Sequence, residues 1–539
     1  MVYFKFTAKR STFDVIDLVF SRDMIRLLPN YLLDFWYVLF IWVAFVYLLK
    51  KLYEKTEPTP STAEKNKSIK HFFFRLGWFI TGAALTLIGF RGGLQRTPIY
   101  IGSAAEYTSV QNIPLVLNTP FTIMKSAELL SLKEINYMSD GEVKKIFNPI
   151  HAYKSGSAFQ KKNVVIIILE SFAKEYVGFY NHGNGYTPFL DSLMGKSLVF
   201  NRAYANSKRS IEALPAITAS VPTLMSDPFS ISRYGTNNFE SLPKLLGAEG
   251  YATAFYHGGI NGTMNFNDFC NISGFQNYYG KNQYPDQNDY DDSWGIWDEP
   301  YFQYFANELT DESQPFFATI FSLSSHHPYA VPDKYKGKFK EGPLPIHISI
   351  SYSDFALRKF FETASQKSWF NNTLFVFTAD HTSLSDDPYY KNPLGLSAIP
   401  IFFYDPSATS DPKIDQTVMQ QIDIMPSVLH LLNYPKTFYS FGNDVFDTTA
   451  HHFAINYSDN SIYQFITHKY LIQSDGIKNV AVYDITTDSL LTKSIASNMT
   501  VELESATTLM KAVIQTYNHD VINNKMSVQT PIPKYVEKK

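Results

Sequence analysis

Six short apolar runs recur along the middle of the chain, at 163–169, 198–204, 251–257, 316–323, 373–379 and 400–404. Most are continuous in Val, Ile, Leu and Phe rather than alternating, which predicts strands buried on both faces. Stretches with helical spacing lie between them, including 186–195 and 240–249. This alternation predicts an α/β fold, with a mostly parallel sheet sandwiched by helices. From 451 the pattern changes. HHFAINY, SIYQFITH, KYLIQSD and NVAVYDIT are short and alternating, so a small C-terminal antiparallel sheet is expected. A last helix at 500–519 and a loose tail, NNKMSVQTPIPKYVEKK, follow.

The first hundred residues differ in kind. Residues 31–49 and 72–90 are each about 19 residues long with one charge near the start, Asp34 and Arg75. That length crosses a hydrocarbon core of about 30 Å. Trp36, Tyr37, Trp42 and Tyr47 mark the first span and Trp78 the second, as interfacial aromatics do. Two transmembrane helices are therefore expected. Lys51, Lys55, Lys65, Lys67 and Lys70 between them predict a cytoplasmic loop, which places residues from 91 onward outside the cell. Lys5, Lys9, Arg10, Arg22 and Arg26 then fall on the outer side, against the same rule. Residues 12–28 repeat apolar positions at helical spacing and suit either a membrane surface or a protein face. The expected organisation is a membrane region at 1–95, a connector at 96–160, a catalytic domain at 161–450 and a C-terminal subdomain with tail at 451–539.

Charge and cysteine content narrow the chemistry. Asp and Glu number 50 against 47 Lys and Arg, a net charge of −3, so no basic field draws in nucleic acid. The single cysteine, Cys270, rules out an intrachain disulfide and a cysteine-based zinc site.

The candidate chemistry sits at the ends of the apolar runs. Asp380-His381 closes the run 373–379, and Glu170 closes 163–169. A carboxylate at the end of a buried strand is costly unless its charge is compensated. Carboxylates with one imidazole can do this by sharing a divalent cation. Ser210 follows Lys208 and Arg209 and opens an apparent helix, where a hydroxyl ionises more readily. His257 and His326 follow two further strands. Each motif alone also fits an ordinary structural role: a helix-cap serine, a satisfied histidine, a capped carboxylate.

The order Glu170, Ser210, His257, His326, Asp380-His381 resembles the lipoteichoic acid synthase-like phosphoglycerol transferases of the sulfatase and alkaline phosphatase superfamily. YTPFLDSL at 186–193, HGGINGTM at 257–264, IDIMPSVLHLL at 422–432 and FGNDVF at 441–446 are similar too. The resemblance implies one divalent metal, manganese before magnesium or zinc, held by Glu170, Ser210, Asp380 and His381. It implies Ser210 as nucleophile, His257 holding the substrate phosphate, and His326 holding it and assisting the leaving group. It further implies a phospholipid donor, a glycan or polymer acceptor, and a multi-pass protein of a bacterial-type cell membrane with its catalytic domain outside. A phosphodiesterase or sulfuric ester hydrolase using water is the alternative. Two departures stand out. The synthases proper carry a Trp and an Arg shortly after the first histidine, where this chain reads Thr263-Met264-Asn265-Phe266-Asn267. Ser210 is followed by Ile-Glu, not by the x-Pro-x-Arg of true sulfatases.

Overall fold

In the computed structural model, the described residues are 36–56, 69–95, 98–108, 112–127, 129–153, 158–408, 413–458, 461–497 and 500–528. Residues 12–28, the start of the first predicted span, most of the lysine-rich loop and the end of the tail lie outside them. Two compact units divide the chain, Met1–Ile101 with Pro114–Glu128, and Gly102–Ile113 with Leu129–Lys539.

The first unit holds helices α1 (Trp36–Thr56) and α2 (Ile69–Arg91). Within α2, Phe72–Arg91 has a mean hydropathy of 1.5 and none of it is buried. Among the described residues it is the one helix counted as long and apolar enough to cross a membrane, and it covers the second predicted span. Three consecutive phenylalanines, Phe72 to Phe74, are exposed, so its apolar surface is not confined to one face. α1 carries the described part of the first predicted span and exposes Trp36, Phe40 and Trp42.

The second unit is built on an eight-stranded sheet. Its strands are β1 (Asn163–Leu169), β2 (Leu198–Tyr204), β3 (Ala252–His257), β4 (Asn277–Tyr279), β5 (Phe316–Phe321), β6 (Thr373–Ala379), β7 (Ile401–Tyr404) and β8 (Lys413–Gln420). Their spatial order is β4-β3-β5-β1-β6-β7-β2-β8. All are parallel except β7, which runs against both β6 and β2. Every residue of β1, β5 and β6 is buried, as continuous apolar runs require in a sheet covered on both faces. Helices on the sheet include α3 (Pro188–Met194), α4 (Ser210–Ala219), α5 (Asp298–Asp311) and α6 (Ile346–Ala364).

Register sets the site. Leu169 pairs with Ala379 across β1 and β6, and Ile168 with Phe321 across β1 and β5. Glu170, Asp380 and Ser322 therefore leave three adjacent parallel strands at nearly the same level, at the carboxyl edge where open α/β sheets bind ligands.

A second sheet of four antiparallel strands, β9 (Ala454–Ser458), β10 (Ile462–Ile466), β11 (Tyr470–Ser474) and β12 (Asn479–Asp484), pairs in sequence order. It is the small C-terminal sheet expected from the alternating pattern. Helix α7 (Val501–Ile522) follows, capped by Thr500, whose hydroxyl accepts from the Leu503 amide at 3.2 Å.

Candidate active site

Glu170, Asp380 and His381 come together at the carboxyl ends of β1 and β6, each offering a ligand atom within 4.8 Å of the others. Glu170 and Asp380 are fully buried and His381 is partly exposed. Burial, then the neighbouring Asp380 charge, push the Glu170 carboxyl well above its usual range. Asp380 Oδ2 lies 3.1 Å from His381 Nε2 yet accepts no hydrogen bond. A buried carboxylate oxygen without a partner is unfavourable as it stands.

Ser210 completes the group. It is the first residue of α4, and Arg209, not Ser210, occupies the cap position. The Ser210 side chain does not cap its helix. Its hydroxyl turns to Glu170 Oε2 at 3.2 Å and His381 Nε2 at 3.3 Å. The two cations before it play a smaller part than the sequence suggests. Arg209 is paired with Glu212 at 2.6 Å, and Lys208 is exposed. The positive end of α4 remains as the local field on the hydroxyl. The next hydroxyls along the helix are engaged elsewhere: Thr218 donates to Leu214 O at 2.8 Å, and Ser220 to Ile422 O at 2.7 Å.

Residues not singled out in the sequence hold this cluster in place. Ser171, in the left-handed region at φ 58°, donates its hydroxyl to Glu170 Oε1 at 2.8 Å and its amide to Asp380 Oδ1 at 2.7 Å. A non-glycine residue there costs energy that its surroundings must offset. Ser325 donates to Glu170 O at 2.5 Å, and Ser322 Oγ accepts from the Glu170 amide at 2.9 Å. Gln421 donates to the carbonyls of Ala379 and Asp380, both at 2.8 Å. Serines and a glutamine carry no motif that marks them in advance; only the register brings them here.

His257 and His326 stand apart from the cluster, and neither hydrogen-bonds Glu170, Ser210, Asp380 or His381 among the described residues. His257 ends β3, fully buried against Phe266 and Phe321. One ring nitrogen lies 3.4 Å from the Phe321 carbonyl, and Nε2 has no partner. Burial pulls its pKa down to about 4, so the ring is neutral at neutral pH. A Cβ at Gly259 would lie 2.5 Å from Nε2. Phe266 and Phe321 pack on the ring, so a Cβ this close to Nε2 displaces it. Gly259→Ala is therefore expected to tilt the imidazole and lower turnover roughly a hundredfold, with far-UV circular dichroism unchanged; wild-type turnover would show that the ring is not used.

His326 packs on Trp294, ring centroids 4.2 Å apart, and its Nδ1 is 3.0 Å from the His327 carbonyl. Trp294 Nε1 donates to that same carbonyl at 2.7 Å. Upstream, the buried Asp298 accepts from the amides of Leu323 at 2.7 Å and Ser324 at 3.1 Å, and from Ser353 Oγ at 2.6 Å. The turn that presents His326 is thus tied both to α5 and α6 and to Glu170 itself.

The sulfatase family profile matches residues 162–434, a segment that contains all eight strands and every residue of this cluster. The chain belongs to the sulfatase family. It is 24% identical over 335 residues to the lipoteichoic acid synthase-like YvgJ of Bacillus subtilis, covering 58% of this chain and 53% of that one. It is 25% identical over 310 residues to the lipoteichoic acid synthase of Staphylococcus aureus, covering 53% and 48%. The chain spans about half the length of the curated relatives it matches. Among solved structures, an alkaline phosphatase superfamily protein of Vibrio parahaemolyticus superposes with a TM-score of 0.65 at 24% identity, over 73% of this chain and 98% of that one. The lipoteichoic acid synthase LtaP of Listeria monocytogenes gives 0.59 at 20%, over 72% and 99%. These superpositions establish the sulfatase and alkaline phosphatase-like fold that the resemblance implies. As a sulfatase-family chain with lipoteichoic acid synthase relatives, it is an enzyme of that superfamily.

Proposed function

We propose that this chain is a membrane-anchored, metal-dependent transferase that moves a phospho-alcohol group from a phospholipid to an extracytoplasmic glycan or polymer. The observation that carries this reading is the Ser210 hydroxyl, turned off its own helix toward Glu170 and His381. The likeness to lipoteichoic acid synthases supports the substrate class, and the exposed apolar helix α2 supports the anchor.

The donor set suits a divalent cation. Ligand atoms 2.0–2.2 Å from a metal lie roughly 3–3.5 Å from one another, within the spread of the three side chains here. Two buried carboxylates, one with an oxygen lacking any hydrogen bond, are what a cation would neutralise. Two carboxylates, a hydroxyl and one imidazole accept manganese, magnesium or zinc, and the likeness favours manganese. Bound there, the ion would supply positive charge that lowers the pKa of the Ser210 hydroxyl.

The chain's own groups then divide the work. Ser210 passes its proton to Glu170 Oε2, to which it donates, and its Oγ attacks the phosphorus of a phosphodiester, forming a new P–O bond as the bond to the lipid alcohol breaks. His326 gives the departing oxygen its proton. His257 holds a non-bridging oxygen through Nε2. Its neutral ring donates there only as the Nε2–H tautomer, or after the bound anion raises its pKa enough to protonate it. A second hydroxyl, from sugar or polymer, gives its proton to His326 and attacks the phosphorus, and the Ser210 oxygen leaves and recovers its proton from Glu170.

Mass spectrometry of the full chain after incubation with phosphatidylglycerol vesicles tests this. The Ser210 peptide should gain the mass of the transferred group, and an acceptor should speed its loss. Release of free head group at one rate with or without acceptor would make the protein a hydrolase. Absence of any adduct would remove Ser210 as nucleophile.

A further inference from the structure

Beside β2, two strands away from β6, lies a cavity of about 180 Å³ with Lys174, Arg202, Tyr204 and Tyr389 in its wall. Two of its polar groups, Lys174 and Arg202, are donors only. Lys174 Nζ donates to the Asn201 carbonyl at 2.5 Å and the Asn201 side-chain oxygen at 3.2 Å, and lies 4.4 Å from the Tyr180 ring centre. Among the described residues its third N–H has no acceptor. Arg202 uses one terminal nitrogen on His468, at 2.6 Å to both the carbonyl and Nδ1. Among the described residues neither cation makes an ion pair, the hydroxyls of Tyr204 and Tyr389 make no hydrogen bond, and neither do the other two guanidinium nitrogens of Arg202.

This is an unusual way to leave two positive charges. Lys174 is largely buried and Arg202 partly exposed, and a desolvated cation without an anionic partner is unfavourable. Burial, then the charge of Arg202, pull the Lys174 ammonium down to about 8. An anion between them would offset the repulsion. An arginine fork, a lysine and two phenol hydroxyls form the donor array that recognises an oxyanion. The volume admits a tetrahedral oxyanion carrying a short alcohol, and several waters besides.

We propose that this cavity is a second, non-catalytic anion site that takes a phosphate-class oxyanion, either free phosphate or a small phosphate ester. It is separate from the Glu170–Asp380–His381 cluster and does not depend on the chemistry proposed there.

Calorimetric titration of the full-length chain with inorganic phosphate and with glycerol phosphate tests the site. An Asp380→Asn background removes binding at the cluster. One saturable site per chain should remain, and Arg202→Met and Lys174→Met should each weaken it roughly tenfold or more. Tighter binding of glycerol phosphate identifies an ester as the ligand; equal or tighter binding of phosphate identifies the free ion. Lys174 is largely buried and its replacement could disturb folding, so the partly exposed Arg202 carries the decision. Unsaturable binding, or the same affinity in Arg202→Met, would overturn the proposal.

Discussion

Replacing Ser210 with alanine is expected to cut turnover on the order of 10⁴-fold or more, because it removes the nucleophile rather than a helper. The fold should be unaffected. Ser210 does not cap its helix, and its hydroxyl contacts only Glu170 and His381. Donor lipid should still bind, so the loss should lie in kcat and not in KM. Ser210→Thr keeps a hydroxyl in the same position and should retain a measurable fraction of activity. Steady-state kinetics on both variants, with thermal unfolding as the control for folding, separate the roles. Wild-type activity in Ser210→Ala would place the nucleophile elsewhere. Thr218 and Ser220 are poor substitutes, since both are hydrogen-bonded away from the cluster.

The second large effect is on Glu170, and its sign depends on whether metal is present. With divalent metal bound, Glu170→Gln should weaken metal affinity and abolish activity. In chelator-stripped protein the same change should stabilise the fold by about 1–3 kcal/mol, because it removes one of two buried like charges. The direction with pH follows from the raised Glu170 pKa. A carboxyl whose pKa is higher folded than unfolded binds its proton more tightly in the folded state. Stripped wild-type protein should therefore lose stability as pH rises above the ordinary glutamate value of about 4.3. Glu170→Gln should flatten that part of the curve. Chemical denaturation of both proteins across pH checks this. Destabilisation by Glu170→Gln in the stripped protein would mean that the charged Glu170 is compensated without a cation.

The central strands were legible because they are apolar on both faces. β1, β2 and β6 begin and end where the apolar runs do. β8 was not anticipated. The first half of KIDQTVMQ is mostly exposed at the sheet edge, so it lacks a buried pattern. β4, three residues at the opposite edge, is too short to show a period. The reversed direction of β7 had a signal that passed unused. Only 21 residues separate the end of β6 from the start of β7, with one four-residue helix and one 3₁₀ turn between them. A parallel return normally needs a full crossover helix.

Of the candidate site, the charged residues were visible and their supports were not. Glu170, Asp380 and His381 stand out because charge at the end of an apolar run is conspicuous. Ser171, Ser322, Ser325 and Gln421 are ordinary in composition, and they matter only through the alignment of β1, β5 and β6. Nor could the sequence show that Ser210 turns away from its own helix, or that His257 packs against Phe266 and Phe321. Helix capping and side-chain access are settled by packing, which no local pattern encodes.

The most direct test is anomalous diffraction from crystals of the full-length protein grown with manganese. A single strong peak should lie among Glu170, Asp380 and His381, within bonding distance of Ser210 Oγ, and should vanish in Asp380→Asn crystals. No peak there at saturating manganese, or one only at a distant site, would contradict the account.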